Sequence, residues 1–243
     1  MRPRQRADRL LVARRLFESR AKAQAAIAAG LVSANEIPVQ RASEEIAADA
    51  VLRAEPAHPW VSRGGVKLAA ALDHFRFDPT GCVCLDVGAS TGGFTDVLLA
   101  RGARRIYAVD VGRDQLHAKL KGRPEIVSLE QTDIRKLDRS RLPEPPAFIV
   151  IDVSFISLKL VLDKALALAC PPARAIILVK PQFEAGRRHL KKGIVRDAGT
   201  QGRVCEDVGA LIRSLGWRVV GIAASPIAGT DGNREFLVGA RRD

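Results

Sequence analysis

From Val61 onward, short apolar runs alternate with segments whose apolar residues recur every three or four positions. The runs read as strands over Cys82–Val87, Arg105–Asp110, Ile126–Glu130, Ala147–Asp152, Ala175–Val179, Arg218–Ala224 and Glu235–Ala240. The periodic segments read as helices, notably Gly65–His74, Gly92–Ala100, Leu158–Leu168 and Gln201–Leu215. This alternation predicts an α/β fold, a mostly parallel seven-stranded sheet with helices on both faces.

The first 52 residues follow another pattern. Leu10, Leu11, Ala13, Arg14 and Leu16 give a helical stripe, and Glu18-Ser19-Arg20 interrupts it. Ser19 can cap a second helix, Arg20 to Ala29, which Gly30 stops. Leu31 to Val39 then reads as strand, turn and strand around Asn35. A separate small α+β domain over 1–52 is expected. Arg53 to Trp60 holds two prolines, which disfavour a helix and predict an extended linker, leaving 61–243 as the larger domain.

Charge points to a partner. The 243-residue chain is 47% apolar, enough for a substantial core, yet carries a net charge of +12. A fold does not need that excess, and polyanions such as nucleic acid are its natural counterpart. Near the N-terminus Arg2, Arg4, Arg6, Arg9, Arg14, Arg15, Arg20 and Lys22 outnumber Asp8 and Glu18. A second basic segment, Gly186 to Gly193, carries Arg187, Arg188, Lys191 and Lys192. These residues, with Arg63, are candidate RNA contacts, a solvated basic surface being the plainer alternative. No apolar leader follows the N-terminal arginines, and no run is long enough to span a bilayer, so a cytoplasmic protein without a membrane partner is expected. Cys82, Cys84, Cys170 and Cys205 make a poor zinc set and read as reduced structural thiols, the first two on one strand face.

The turn after the first long strand is the strongest chemical signal. Asp86-Val87-Gly88-Ala89-Ser90-Thr91-Gly92-Gly93-Phe94-Thr95-Asp96 lacks the G-x-G-x-x-G spacing of dinucleotide folds and the Lys-Ser/Thr of a phosphate loop. It resembles the first motif of S-adenosylmethionine (SAM)-dependent methyltransferases. Asp86, Gly88, Ser90, Thr91, Gly92 and Gly93 are expected around an adenosyl ligand, with Phe94 covering it. Asp110 and Asp133 follow the next two strands, where one can accept ribose hydroxyls and the other an adenine amine. Each acid could instead be an ordinary helix cap. Asp152 and Lys180 follow the fourth and fifth strands, where a substrate would meet the ligand.

Two wider resemblances follow. Arg9-Leu10-Leu11, Ser19-Arg20, Ala23, Ile27, Gly30-Leu31-Val32 and Asn35 resemble the S4 RNA-binding domain, departing at Glu36, where that family usually has glycine. Ser62-Arg63-Gly64-Gly65-Val66-Lys67-Leu68, the Asp86–Asp96 turn, Asp152-Val153-Ser154-Phe155-Ile156-Ser157 and Val179-Lys180-Pro181-Gln182-Phe183-Glu184 resemble the TlyA family. Its members, often labelled hemolysin, join an S4 domain to a Rossmann-like, FtsJ-like rRNA methyltransferase domain. The resemblance implies SAM as cofactor and ribose 2′-O-methylation of cytidine in 23S and 16S ribosomal RNA. It also implies a catalytic tetrad of Lys67, Asp152, Lys180 and Glu235, with Asp152 also beside the cofactor.

Such a reaction needs no metal, because the sulfonium already activates the methyl group and alignment does most of the work. Either Lys180 is uncharged in the site and takes the hydroxyl proton, or the lysines stay charged and steady the developing alkoxide. Sequence leaves both open. A non-catalytic ribosome-assembly factor, a cytolysin and a nicotinamide-dependent oxidoreductase are the competing readings.

Overall fold

Along each central strand, successive side chains enter two different cores, and this period of two holds the sheet between helical layers. The computed structural model describes residues 3–229 and 231–243, so Arg2 lies outside the described residues. The chain divides into two compact units, Met1–Pro59 and Trp60–Asp243.

In the first unit, β1 (Arg4–Arg6) leads into α1 (Ala7–Ala13), then α2 (Arg20–Ala28), β2 (Val32–Ala34), β3 (Ile37–Pro38), β4 (Glu45–Ala47) and β5 (Leu52–Ala54). Strands β1 and β4 pair antiparallel, and β3-β2-β5 form a second small sheet. Ala7, Leu10, Leu11, Phe17, Ala23 and Ile27 help build its core. Ser19 caps α2 by accepting from Lys22 N at 3.3 Å. Helix α1 ends three residues before Leu16, which is exposed rather than part of the buried stripe. The expected linker begins inside β5, whose pairing with β2 carries Arg53. Asn35 and Glu36 both turn with positive φ, 50° and 68°. Glu36 thus adopts the left-handed geometry that the missing glycine would have eased.

In the second unit, α3 (Gly64–Phe75), β6 (Val83–Val87), α4 (Gly93–Ala100), β7 (Arg105–Val109) and β8 (Ile126–Leu129) come first. β9 (Phe148–Ile151), α5 (Leu162–Ala167), β10 (Ala173–Val179), α6 (Pro181–Glu184), α7 (Ala198–Ser214), β11 (Arg218–Ala224) and β12 (Phe236–Arg242) follow. The sheet order is β11-β12-β10-β9-β6-β7-β8. From β8 to β10 every pairing is parallel, and β12 runs antiparallel to β10 and β11.

Leu85, Ile149, Ile151, Ile177 and Val179 face the core built with α5 and α7. Cys84, Phe148, Val150, Ile176 and Leu178 face the core built with α3 and α4. Cys82 packs toward the same side as Cys84, as the strand spacing predicts. Gly239 makes room on that side: a Cβ there would lie 2.7 Å from the Phe75 ring. The helix expected over Leu158–Leu168 is broken into a 3₁₀ turn, Leu158–Leu160, and α5. Val161 joins them with φ −118°, well off the ideal helical value, while Leu158, Val161 and Leu162 all reach one core.

A charge buried in the first unit holds its two helices together. The Asp8 carboxylate accepts from Arg6 at 3.1 Å, Arg20 at 2.8 Å and Gln24 at 2.8 Å. The Arg6 guanidinium, helped by Arg20 and Gln24, holds the Asp8 carboxyl far below its ordinary 3.8 despite burial. A depressed carboxyl stabilises the fold above its ordinary value, and that contribution fades as acid carries the pH below it. Asp8→Asn is therefore expected to destabilise this unit by about 2 kcal/mol at neutral pH. The deficit against the unmodified chain should shrink in denaturant titrations run progressively below pH 4.

Candidate active site

Chain order reverses between neighbouring strands β6 and β9, and α/β folds place ligands at such a switch, beyond the carboxyl ends of the strands. A cavity of about 460 Å³ opens there. The ends of β6, β7 and β9 contribute Gly88, Asp110 and Asp152, and Ser90, Asp133 and Ser154 also line it.

Backbone contact shapes this floor. The Gly88 and Ala89 amides both donate to Val109 O, at 2.9 and 3.1 Å. Gly88 has φ +83°, and a Cβ on it would lie 2.4 Å from Asp152 O. Its bareness therefore lets the β6 turn and the Asp152 backbone meet. Ser90, at φ 47°, donates its amide to Asp110 Oδ2 at 2.8 Å, and Gly112 donates to Asp110 Oδ1 at 2.7 Å. Asp110 is thus fixed in place with further lone pairs for a diol. Asp133 also caps a 3₁₀ turn, accepting from Arg135 N at 2.9 Å. The Arg135 guanidinium beside it lowers the Asp133 carboxyl from the usual range.

The remaining turn residues are placed differently from the expectation. Asp86, Thr91, Gly92, Gly93 and Phe94 do not line the cavity. Asp86 is fully buried and accepts from Thr95 Oγ1 at 2.6 Å, tying β6 to the first turn of α4. Burial pushes its carboxyl up to about 7, against that hydrogen bond and with the negative charge of Asp152 adding to the rise. A Cβ on Gly92 would strike Leu120 at 2.4 Å, and one on Gly93 would strike Ser62 Oγ at 2.2 Å. The glycine pair is bare for packing against the protein. Phe94 lies in the core with Leu68 and Leu72, because α4 turns that face toward α3.

The four residues of the implied tetrad form two lysine–carboxylate pairs; Lys67, Lys180 and Glu235 are buried, and the partly exposed Asp152 alone of the four lines the cavity. Lys67 Nζ on α3 lies 2.5 Å from Glu235 Oε2, just before β12. Lys180 Nζ, at the end of β10, lies 2.6 Å from Asp152 Oδ1 and donates to Ser154 Oγ at 2.7 Å. The start of α3 adjoins Asp152, since a Cβ on Gly64 would be 3.8 Å from Asp152 Oδ2. Arg63, expected to contact RNA, donates to Ala228 O at 2.7 Å and ties α3 to the loop before Glu235. Gly229 in that loop admits the Glu235 carboxylate, which a Cβ would meet at 2.6 Å.

The other basic candidates divide. Arg6 and Arg20 are committed to Asp8, Arg4 donates to Glu45 O, and Arg14 donates to Ala48 O. Lys22 pairs with Glu18 at 2.7 Å. Arg9, Arg187, Arg188, Lys191 and Lys192 are exposed. Asn233 anchors the second basic segment, accepting from Val195 N at 3.1 Å and donating to Gly193 O at 3.0 Å.

Sequence reading missed Glu130 and Ser154. Glu130 accepts the amides of Asp114, Gln115 and Leu116, at 2.5, 2.8 and 3.1 Å, and so holds the loop that brings Gln115 to the cavity. Leu116 N, then Asp114 N, lower its carboxyl from the usual range.

Comparison with known proteins agrees with this geometry. The FtsJ-like methyltransferase family matches residues 60–242. A Mycobacterium tuberculosis protein named 16S/23S rRNA (cytidine-2′-O)-methyltransferase TlyA is 39% identical over 241 residues, spanning 98% of this chain and 90% of the relative. Hemolysin A of Brachyspira hyodysenteriae is 37% identical, spanning 90% of this chain and 92% of its own. A solved structure of a hemolysin-named protein from Streptococcus thermophilus superposes with a TM-score of 0.78 and 39% identity, covering 100% of this chain and 90% of that one.

An adenosyl ligand in the cavity depends on the bare Gly88 turn. Gly88→Ala must move either Asp152 or the Ser90–Asp110 contact, and its positive φ adds about 1–2 kcal/mol of strain. Calorimetric titration with SAM should show binding weakened about tenfold or more.

Proposed function

Since the chain belongs to the FtsJ-like methyltransferase family and uses S-adenosylmethionine, we propose that it methylates the ribose 2′-hydroxyl of cytidine in 23S ribosomal RNA and also in 16S ribosomal RNA. The strongest support is the pairing of Lys67 with Glu235 and Lys180 with Asp152, four residues from separate segments, the last of which lines the cavity. The M. tuberculosis relative, similar over nearly its whole length, carries that activity in its name.

The cavity residues suit the cofactor. Asp110 offers a fixed carboxylate for ribose hydroxyls, Gly88 and Ser90 offer backbone, and Val111 and Ile134 offer apolar wall. Asp133 faces the same space for an adenine amine. When bound, SAM supplies an electrophilic methyl group on sulfur. The chain then has to hold a weak nucleophile in line and stabilise charge building on its oxygen. Lys180, a donor to Ser154 with Asp152 as its ion partner, has the geometry of an ammonium placed for that charge. Asp152 orients it. Glu235 holds Lys67, which adds a second cation, and Gly229 and Arg63 fix Glu235 in turn.

For substrate capture, the first unit acts as an S4-like RNA-binding domain, with Arg9 exposed on α1. Arg4, Arg6, Arg14, Arg20 and Lys22 then shape that surface as well as charge it. The Gly186–Gly193 segment, which follows Lys180 after a short helix, adds the exposed Arg187, Arg188, Lys191 and Lys192. Relatives carry hemolysin names, and among the described residues no helix is long and apolar enough to cross a membrane.

Lys180→Ala should lower methyl transfer to ribosomal subunits about a hundredfold or more. Its SAM affinity should stay within about threefold of the unmodified chain by calorimetry, because the lost group serves the acceptor oxygen. Retained transfer would remove Lys180 from the central role. Neutralising Arg187, Arg188, Lys191 and Lys192 together should weaken RNA binding and lower the salt slope by up to about 0.7–0.9 per lost phosphate contact. An unchanged slope in filter-binding titrations would assign that segment to solvent.

A further inference from the structure

Lys180 has three N–H donors, and their directions decide whether its charge faces the acceptor oxygen. One is donated to Ser154 Oγ at 2.7 Å, while Asp152 Oδ1, 2.6 Å away, faces the ammonium as an ion partner outside hydrogen-bond geometry. That hydrogen bond fixes the rotation of an ammonium that would otherwise turn freely about its last bond. The other two N–H groups then have defined directions. Ser154 is suited to this task because it lines the cavity two residues beyond Asp152. Phe155 follows at φ 65°, a left-handed turn that sets where the segment leaves β9. Its ring meets Phe183 at 5.4 Å between centroids, bracing the Ser154 turn against the segment that starts at Lys180.

We propose that Ser154 is a positioning residue for the methyl transfer, which orients the Lys180 ammonium toward the ribose oxygen through its Oγ. The inference rests on the ribose-methylation reading for its kinetic consequence, but the hydrogen bond itself can be read without RNA. The charge of Asp152 holds the ammonium in place without fixing its N–H directions, and the hydrogen bond to Ser154 fixes them. A hydrogen bond to a charged group contributes enough to make the loss visible in rate.

Two measurements on the full chain test this. The first compares the unmodified chain, Ser154→Ala and Ser154→Thr in steady-state methyl transfer to ribosomal subunits. Ser154→Ala should lower kcat about tenfold or more with KM for SAM within about twofold, and Ser154→Thr, which keeps the hydroxyl, should recover most of kcat. The second records the lysine Nζ proton–nitrogen NMR signals without RNA, with Lys180 assigned by its absence in Lys180→Ala. A buried ammonium held by an ion partner and a hydrogen bond exchanges its protons slowly, so its signal should appear in the unmodified chain and Ser154→Thr and be lost or broadened in Ser154→Ala. An unmodified chain that shows the NMR pattern but transfers no methyl to RNA would overturn the function and leave the orientation standing. Full kcat in Ser154→Ala, or a Lys180 signal indifferent to Ser154, would overturn the positioning role.

Discussion

Two lysines buried against carboxylates are the constraint around which this site is organised. Removing such charges from water costs several kcal/mol each, and their mutual attraction seldom leaves a net gain in stability over an apolar replacement. Lys67–Glu235 and Lys180–Asp152 are therefore weak candidates for structural staples. Their value is positional: each lysine is held at a fixed place, Lys180 against the cavity-lining Asp152 and Ser154. The surrounding architecture serves that placement. Gly64 brings α3 close to Asp152, Gly229 yields space to Glu235, and Arg63 fastens the start of α3 to Ala228 O.

The cofactor side depends on a second close approach. Asp152 N donates to Val87 O at 2.9 Å, and Asp152 O packs where a Gly88 side chain would begin. One residue thus touches the Gly88 turn through its backbone and Lys180 through its side chain. This gives a direct mechanical reason for the two halves of the site to share a register. Beneath them, Asp86 binds Thr95 and supports the turn from below, away from the cavity. Neutral Asp86 would lose one repulsion with Asp152, so the rise of its carboxyl to about 7 reflects a burial cost larger than the benefit of the Thr95 hydrogen bond.

The central strands were legible because both faces are buried, which leaves apolar runs such as Phe148–Ile151. Their ends were legible to within a residue or two, since a polar residue marks where the sheet meets the site. The strands Arg4–Arg6, Glu45–Ala47 and Leu52–Ala54 were not, because they are three residues long and their pairing is distant, as in Arg4 with Ala47. The break at Val161 escaped because an apolar segment keeps its helical spacing on paper while its backbone bends to fill a core. In the site, Asp110, Asp133 and Asp152 were marked by their places at strand ends. Gly92, Gly93 and Phe94 fit the motif pattern equally well, and only packing distinguishes a ligand cradle from a helix junction. Lys67 and Glu235, 168 positions apart, could be paired only through resemblance. Ser154 and Glu130 act through short-range geometry that has no periodic signal.

The most direct test of this account is the identity of the methylated nucleoside. Separated ribosomal subunits would be incubated with the full chain and isotopically labelled SAM, and their RNA digested to nucleosides for mass spectrometry. The account predicts label in 2′-O-methylcytidine, with the methyl retained on ribose when the base is removed. Label on the base, or on no nucleoside of either subunit while SAM still binds, would contradict it.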